Sequence, residues 1–278
     1  MTPPESRPNL TVVLGRPEGD INLAEAALLI ASEEYPDLDV PRYLRQLDDM
    51  GLALRDRLAD EPRPERAVMA LNRYLFQEEG FHGNVLEFYD PRNSYLNDVI
   101  DRRVGIPITL STIYMEVARR AGVHVEGVGL PGHFIVRVVL SGHGLLVDPF
   151  HGGVLLTEAD CQERLDRIFA GRVKVATEML AATGRREILA RMLRNLKAIF
   201  LRREDYPRAL RAADLLLCLD PESAEDLRDR GILYSALDCY GLALNDLEAY
   251  LALHPDPPEA IEIAGRIAAL RLKAARLN

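Results

Sequence analysis

The chain has 278 residues, of which 48% are hydrophobic and 28% charged, and its formal net charge at pH 7 is −9. This composition predicts a folded protein with a substantial core. The acidic balance argues against a nucleic-acid partner, because nucleic acids reward clustered Lys and Arg.

Targeting signals and cysteines point to the cytoplasm. No apolar run is long enough to span a membrane, and the opening sequence MTPPESRPNL lacks the pattern of a secretory leader. The three cysteines are far apart and form no CxxC motif, which fits a reducing compartment and predicts no zinc site. We therefore expect a cytoplasmic protein with no nucleic-acid or membrane partner.

The N-terminal part is predicted to be helical after a flexible start. Residues 1–19 are rich in Pro, Gly and polar residues, and we expect them to be flexible. Three stretches with helical periodicity follow, and Asn22 is a candidate cap for the first. The predicted helices cover residues 21–34, 40–58 and 65–77.

The middle of the chain mixes loop, helix and strand. Residues 80–106 predict a loop with one short helix near 95–102, and PITLSTIYMEVARRA predicts a helix that Gly122 ends. Two strand-like runs and a third strand ending in Asp148 follow. These strands cover residues 124–130, 133–140 and 145–148, with turns at 141–144 and 150–153. This order predicts an α+β domain.

Two stretches near the C-terminus repeat each other at a spacing of 34 residues. Five positions are identical, namely Tyr206, Ala209, Leu210, Leu219 and Pro221 against Tyr240, Ala243, Leu244, Leu253 and Pro255. Thirty-four residues is the period of a tetratricopeptide helical hairpin. We predict continuous helical structure after Glu158, with a boundary at 182/183 and helices at about 185–203, 206–219, 223–237, 240–253 and 257–276. Such arrays usually present a groove to a protein or peptide partner.

One constellation in the middle of the chain has chemical potential. Gly105-Ile106-Pro107 begins a helix, whose N-terminus suits a thiolate or an oxyanion. His133 opens a predicted strand and is a candidate general base. Asp148 ends the next strand and is placed to orient that histidine.

The chain resembles the SirB-like bacterial proteins, which join a transglutaminase-like domain to tetratricopeptide repeats. The resemblance covers the chain from about residue 20 and rests on FHGN, YDPRNSYLNDVIDRRVGIPITLSTIY, LPGHFIVRV, VDPFHGG and RDRGILYSALDCYGLALNDLEAY. It implies a papain-like core with a Cys–His–Asp triad, in which His133 and Asp148 match the His and the Asp. The nucleophile position falls on or near Pro107, which has no reactive atom.

Replacements for the missing thiol can be sought among nearby residues. Thr109 and Ser111 follow in the same helix, although such hydroxyls commonly bond to backbone carbonyls one turn back. Cys161 is a further candidate, although a buried packing role is far more common. We expect Cys218 and Cys239 to pack on the apolar faces of repeat helices.

A metal-bound water is another alternative. His82, His133, His151 and Asp148 would suit zinc in number, but they show no short ligand spacing. We therefore expect no metal and no cofactor. The structural alternative is that these histidines form hydrogen bonds to loop carbonyls and stabilise the cleft.

Binding residues are predicted in two places. In the cleft we expect His82, Asn84, Asn93, Thr109 and His151, although Asn93 or Ser94 could instead cap the helix at 95–102. In the repeats, Arg228 and Arg230 are predicted to form the polar rim of a groove. The alternative for these arginines is salt bridging within the repeats.

We therefore predict three segments, with a flexible N-terminus at 1–19, a transglutaminase-like domain at 20–182 and a tetratricopeptide-like domain at 183–278. The predicted fold is α+β: a helical N-terminal segment, a small antiparallel sheet with a central helix, and C-terminal helical hairpins. The predicted function is a non-catalytic cytoplasmic protein-binding adaptor or regulator with a degenerate cleft. The alternative is a peptide- or amide-bond hydrolase or transferase that uses His133 and Asp148 with an unusual nucleophile or a metal-bound water.

Overall fold

The computed structural model describes residues 6–58, 63–140, 143–255 and 257–275. The chain divides into two compact units, Met1–Leu189 and Ala190–Asn278. The first unit is α+β and the second is all-α, which confirms the predicted fold class. The division falls inside a helix, a few residues beyond the predicted boundary at 182/183.

The first unit begins with helices, α1 (Ser6–Leu14), α2 (Leu23–Ser32), α3 (Val40–Arg55) and α4 (Pro64–Asn72), followed by a π-helical turn at Arg73–Glu78. The three predicted N-terminal helices are confirmed as α2, α3, and α4 with the π-helical turn. Asn22 caps α2, because its side-chain oxygen accepts the N–H of Glu25 at 3.2 Å.

Part of the segment predicted to be flexible, residues 1–19, forms a helix. Helix α1 lies there, and Leu10 and Leu14 are 0% and 1% exposed. Its apolar residues pack against α2, and this tertiary burial outweighs a local composition that favours disorder. Residues 1–5 lie outside the described part of the chain.

The rest of the unit is built around a sheet. Its elements are β1 (His82–Gly83), α5 (Leu96–Arg102), β2 (Val104–Gly105), α6 (Pro107–Arg120), β3 (His124–Val128), β4 (Ile135–Leu140), β5 (His143–Asp148), β6 (Val154–Leu156), α7 (Glu158–Phe169), β7 (Ala182–Thr183) and α8 (Arg185–Arg202). β1 and β2 form a parallel pair, and the other strands form an antiparallel sheet in the order β6–β5–β4–β3–β7.

The three predicted strands are confirmed as β3, β4 and β5, and residues 141–142 of the predicted turn lie outside the described residues. The expectation of helical structure after Glu158 is wrong for most of residues 171–184, in which Thr177–Leu180 form a single 3-10 helical turn. Ala170 and Gly171 adopt left-handed backbone angles, with φ of 52° and 75°, and these end α7. β7 then pairs with β3, a contact that local periodicity does not encode.

Helix α6 is the central helix of the unit and packs against β3, β4 and the turn after β5. Tyr114 on the helix and Phe134 before β4 are both essentially buried. A Cβ added at Gly127 would lie 2.7 Å from Phe134 Cζ, so the close approach of strand and ring requires glycine there. This packing fixes the start of α6 relative to the ends of the strands.

The second unit continues from α8 with α9 (Tyr206–Leu219), α10 (Ala224–Ala236), α11 (Tyr240–Leu253) and α12 (Ala260–Ala275), which confirms the predicted helices. Tyr206 and Tyr240, the first pair of the 34-residue repeat, begin equivalent helices. Ala209 and Ala243 are both fully buried, as an internal repeat requires. Within the described residues, none of the helices is long and apolar enough to cross a bilayer.

The expected burial of two repeat cysteines is wrong, because Cys218 and Cys239 are both exposed. Cys218 lies on the outer side of α9 between the buried Leu217 and Leu219. Cys239 precedes the first residue of α11 at the turn between two helices. Neither side chain therefore faces the core.

Candidate functional site

His133 is positioned by a tight turn rather than by a strand. The N–H of His133 donates to the carbonyl of Leu130 at 3.1 Å, and Gly132 has a φ of 72°. Pro131 and a left-handed glycine in the two central positions are typical of a type II turn. The expectation that His133 opens a strand is therefore corrected, because β4 begins two residues later at Ile135.

Asp148 ends β5 and organises the turn that follows. Its Oδ1 accepts the backbone N–H groups of Phe150 at 3.0 Å and His151 at 3.3 Å. Gly152 and Gly153 continue in left-handed conformations, with φ of 69° and 81°. The sequence DPFHGG thus builds a turn around one carboxylate, because aspartate can accept from the two N–H groups that follow it.

The second oxygen of Asp148 gathers three side chains. His133 Nε2 lies 2.9 Å from Asp148 Oδ2, and His151 Nδ1 lies 2.8 Å from the same atom. The guanidinium of Arg164, on α7, lies 2.9 Å from it. Asp148 is fully buried, whereas His151 keeps 47% of its side chain exposed. The structure thus brings together the predicted His133, Asp148 and His151.

The charge of Asp148 is strongly stabilised. Burial alone would raise the pKa of this carboxyl group, but hydrogen bonds from His133 and His151 and the charge of Arg164 outweigh it. The net effect holds the pKa of Asp148 well below its usual range. The Asp148 carboxylate is therefore ionised in the folded protein near neutral pH.

The start of α6 offers hydroxyl groups, and these bond to the backbone. Pro107 is the first residue of the helix. Thr109 is fully buried, and its Oγ1 donates to the Asn93 carbonyl at 2.8 Å and accepts the N–H of Ile106 at 3.1 Å. Ser111 Oγ lies 3.4 Å from the carbonyl of Phe134. Thr109 Oγ1 also lies 3.1 Å from the Ile106 carbonyl, which confirms for this residue the expected bond one turn back, and it ties the loop to the helix. For Ser111 that expectation is wrong, because its partner carbonyl belongs to another segment.

Cys161 is buried beneath the sheet. It is 0% exposed and belongs to an apolar cluster with Leu130 and Ile135. Burial raises the pKa of the Cys161 thiol, which disfavours the reactive thiolate. This geometry matches the packing role and not the role of a replacement nucleophile.

The loop at 84–93 is closed by two asparagines. Asn84 Nδ2 donates to Asn93 Oδ1 at 3.2 Å, and Asn93 Nδ2 donates to the Glu87 carbonyl at 2.7 Å. The predicted cap of α5 by Asn93 or Ser94 is wrong, because the helix begins after Tyr95 without a side-chain cap. The loop's own carbonyls compete for Asn93, which is fully buried.

The loop is anchored to the site through aromatic rings. Gly83 packs on Phe150, where an added Cβ would lie 2.5 Å from the Phe150 carbonyl oxygen. Phe88 and Phe150 have ring centroids 6.1 Å apart, and Phe150 and His151 are 5.1 Å apart. Gly105 pairs with Gly83, which brings the start of α6 to the same place.

A metal could find three ligand atoms here, from His133, Asp148 and His151, which lie within 4.8 Å of one another. His82 is outside this group; it is exposed, and its Nδ1 lies 3.0 Å from the Gly80 carbonyl. Arg164 already neutralises the carboxylate, and one of its nitrogens lies 3.3 Å from His151 Nδ1. A cation at this point opposes a metal ion, so the donor set fits a metal poorly.

The predicted groove residues of the repeats are held in ion pairs. Arg228 contacts Asp229 at 2.9 Å and Glu259 at 2.5 Å. Arg230 makes two hydrogen bonds to Asp246, at 2.7 and 2.8 Å. This is the salt-bridged arrangement given above as the alternative, and a role for these arginines in binding a peptide stays a prediction.

Comparison with known proteins agrees with this architecture. Residues 41–194 match the transglutaminase-like superfamily, and residues 196–268 match the tetratricopeptide repeat. A UPF0162 protein from Xylella fastidiosa is 41% identical over 248 residues, which is 88% of each chain. One from Pseudomonas aeruginosa is 35% identical over 252 residues, covering 89% of this chain and 90% of the relative.

The chain belongs to the UPF0162 family. The resemblance to transglutaminase-like proteins with tetratricopeptide repeats is thereby confirmed. A more distant similarity to F-box only protein 21 of Mus musculus reaches 29% identity over 176 residues, covering 59% of this chain and 27% of that protein.

Sequence reasoning missed two residues that shape the site of this UPF0162 protein. The first is Arg164, which contacts Asp148. The sequence feature that could have indicated it is a positive charge one helical turn after Cys161, on the inward side of α7. Asn72 donates to the Gly153 carbonyl at 2.7 Å and lies at the junction of α4 with the π-helical turn. π-Helical segments are frequent at functional sites, but the sequence carries no simple signal for this one.

Proposed function

We propose that this UPF0162 protein is a non-catalytic adaptor or regulator in the cytoplasm, which binds other proteins and carries a degenerate transglutaminase-like cleft. The observation that carries the proposal is Pro107 at the first position of α6. The resemblance to transglutaminase-like proteins puts the nucleophile on or near this position, and proline supplies no nucleophile.

The neighbouring groups support the same conclusion. The hydroxyl of Thr109 is buried in backbone hydrogen bonds, and Cys161 is buried among apolar side chains. Acyl transfer by a side chain needs a nucleophile within hydrogen-bond reach of its base. We assign His133 and Asp148 to a structural pair instead of a catalytic one.

The contacts of Asp148 give this pair a structural purpose. One fully buried carboxylate binds two backbone N–H groups, two histidines and an arginine. A buried charge is tolerated when it is paired and hydrogen-bonded in this way. Asp148 thereby joins the turn before β4, the turn after β5 and helix α7.

The repeat unit supplies the proposed protein-binding function. Tetratricopeptide arrays generally bind proteins, and we assign the partner of this chain to the groove of its repeats. Lys197 on α8 bonds to Asp226 at 2.9 Å and Asp229 at 2.7 Å on α10, so paired charges join these two helices. With a net charge of −9, the chain is expected to bind neither nucleic acid nor membranes.

The experiment that tests the non-catalytic assignment is an amide-turnover screen. The purified chain is incubated with a peptide pool and a labelled primary amine, beside His133→Gln, and products are read by mass spectrometry. We expect equal, background turnover for both proteins. Turnover by the wild type that disappears in folded His133→Gln would refute the assignment.

Binding through the repeats is tested separately by affinity capture with the full chain. Leu242 and Ile261 are exposed side chains of the repeat unit, 50% and 90% accessible. Changing both to Glu should remove captured proteins, whereas Met69→Glu, at a site 70% exposed in the other unit, should not. Equal loss with Met69→Glu would contradict binding by the repeats.

A further inference from the structure

The 34-residue repeat continues into α12. Gly231 on α10 recurs as Gly265 on α12, and the buried Leu233 recurs as the buried Ile267. α12 is therefore the counterpart of α10, which forms a helical hairpin with α11.

The face of α10 that α11 covers is open on α12. A Cβ added at Gly231 would lie 2.8 Å from Leu247 Cγ and 3.2 Å from Asp246 Cβ, so α11 packs directly on this glycine. A Cβ added at Gly265 would meet no atom of the described residues within 4 Å. Ile261, one turn before Gly265, is 90% exposed. Among the described residues, α12 thus lacks the covering helix that α10 has in α11.

The open face of α12 is apolar. It carries Ile261, Gly265, Ala268 and Leu272, here called the outer stripe, and all four are exposed. Their spacings of four, three and four residues are those of the contact positions in a coiled coil. The opposite side of the same helix is already buried against the repeat unit. A second apolar stripe in water therefore indicates that another helix packs on it.

We propose that α12 of a second copy of this chain covers the outer stripe, packed antiparallel about a two-fold axis between residues 266 and 267. This axis sets Ile261 against Leu272 of the second copy. It also sets Gly265 against Ala268, because both pairs are centred on the same point. The large side chains then meet at the two ends, and the small residues in the middle let the helix axes approach to about 8 Å. The inference goes beyond the proposed function, since the partner is a copy of this chain.

The charges beside the outer stripe favour the antiparallel direction. Glu262 lies in the first turn of α12 and Lys273 in its last turn. They lie on the same edge of the helix, because they are about three turns apart. The two-fold axis places Glu262 of each copy beside Lys273 of the other, whereas a parallel pair would bring like charges together and align the two helix dipoles. The stripe thus matches itself in both size and charge, which favours a second copy over an unrelated helix.

The size of the contact sets the expected affinity. α12 has 16 residues, and one pair of such helices buries less than a standard interface of about 1,600 Å². We therefore expect reversible dimerisation, with a dissociation constant of about 10–100 µM.

The test is sedimentation velocity of the full chain at concentrations from well below to well above that dissociation constant. A reducing agent is needed, because the exposed Cys218 and Cys239 could form disulfides between copies. We expect the weight-average mass to rise with concentration from one chain to two. The mass of a single chain at every concentration would overturn the proposal and leave the outer stripe to a helix of a different protein.

Substitutions on the outer stripe test where the copies meet. Ile261→Lys and Ala268→Glu should each raise the dissociation constant by about a hundredfold, because symmetry places two charges in the apolar contact. Both positions are exposed in the single chain, so thermal unfolding should change little. Leu86→Lys, at a side chain 97% exposed in the other unit, is the matched control and should dimerise normally. Normal dimerisation of folded Ala268→Glu would refute the assignment to the outer stripe.

Exchanging the charges tests the direction of packing. Glu262→Lys and Lys273→Glu should each weaken self-association by about tenfold, because each sets like charges together at both ends of the dimer. An equal mixture of the two variants should associate again, since one chain then carries two lysines and the other two glutamates at these positions. A mixture of folded variants that associates no better than either variant alone would rule out the antiparallel pairing.

Dimerisation can be separated from the capture of other proteins. The capture experiment above changes Ile261 together with Leu242, and Ile261 belongs to the outer stripe. Leu242→Glu alone leaves α12 unchanged and should dimerise normally. Proteins lost from capture by this variant therefore report on the proposed function and not on the dimer.

Discussion

Replacing Asp148 by Asn tests whether this carboxylate is the structural anchor of its unit. The substitution keeps the size of the side chain and its acceptor for the N–H groups of Phe150 and His151. It places an amide NH2 where Oδ2 now receives His133, His151 and Arg164. Arg164 then loses its buried carboxylate partner. The new amide NH2 also faces the N–H groups of His133 and His151, so hydrogen-bond donors face donors.

The expected loss is large. Removing one partner of a buried ion pair costs about 3–5 kcal/mol, and Asp148 is 0% exposed. For a unit of this size the midpoint of thermal unfolding should fall by roughly 10 °C. Differential scanning calorimetry of the full chain measures the loss, and hydrogen exchange across residues 128–156 assigns it to this unit. The control is Glu163→Gln, which removes an exposed ion pair with Arg167 on α7, the helix that carries Arg164. It should change the midpoint of thermal unfolding very little.

The pH dependence of this difference follows from the direction of the pKa shift. Because the pKa of Asp148 is held below its usual range in the folded state, its stabilisation is present above the unfolded-chain value of about 4. The stabilisation is lost as the pH falls through the folded-state pKa. Asp148→Asn should thus differ most from wild type near neutral pH. A loss below about 1 kcal/mol at neutral pH, no larger than a surface pair gives, would refute the anchor.

Three other substitutions test single elements of the fold by thermal unfolding. Thr109→Val should cost about 1–3 kcal/mol, because it removes a buried hydroxyl with two backbone partners; Thr109→Ser should recover most of this, and a neutral Val variant would disprove the cap. Gly153→Ala should destabilise the protein more than Gly152→Ala, because its added Cβ would lie 2.2 Å from Asn72 Oδ1. The Cβ of Gly152→Ala has open space, so that variant should lose only about 1 kcal/mol from its left-handed backbone conformation. Arg230→Leu should cost about 2 kcal/mol by leaving its buried carboxylate partner unpaired, whereas the exposed pair of Arg266 should lose less than about 0.5 kcal/mol on the same change; equal effects would mean that the Arg230 pair is worth no more than a surface one.

Much of the fold could be predicted because its signals are local. The 34-residue repeat predicts the helices of the second unit, and the alternation before Asp148 predicts β3, β4 and β5. β7 and α1 were missed because tertiary contacts stabilise them and not their own sequence patterns: β7 pairs with β3, and α1 packs against α2. Two residues of extended chain beside β3 leave no periodicity to detect.

The candidate site could also be predicted in part. Turn residues identify His133 and Asp148, since LPGH and DPFHGG combine Pro and Gly at fixed offsets from the polar side chain. The sequence does not show that Arg164 reaches the same carboxylate, because that contact depends on how α7 packs below the sheet. His82 illustrates the converse, since its place beside the turn motifs suggested a cleft residue, whereas its ring bonds to its own loop.

The presence of a His–Asp pair in a transglutaminase-like fold is not by itself evidence for catalysis. Under the proposed function the pair is structural: Asp148 accepts the N–H of Phe150, whose ring contacts Phe88 in the loop at 84–93. Removing the carboxylate would release His133 and the loop together, whether or not a nucleophile is present. Under the proposed function, Pro107 leaves the site without a nucleophile while the start of α6 stays intact, since proline suits the first position of a helix. We therefore infer that the same residues that would orient a catalytic histidine can serve here as the frame of a binding surface.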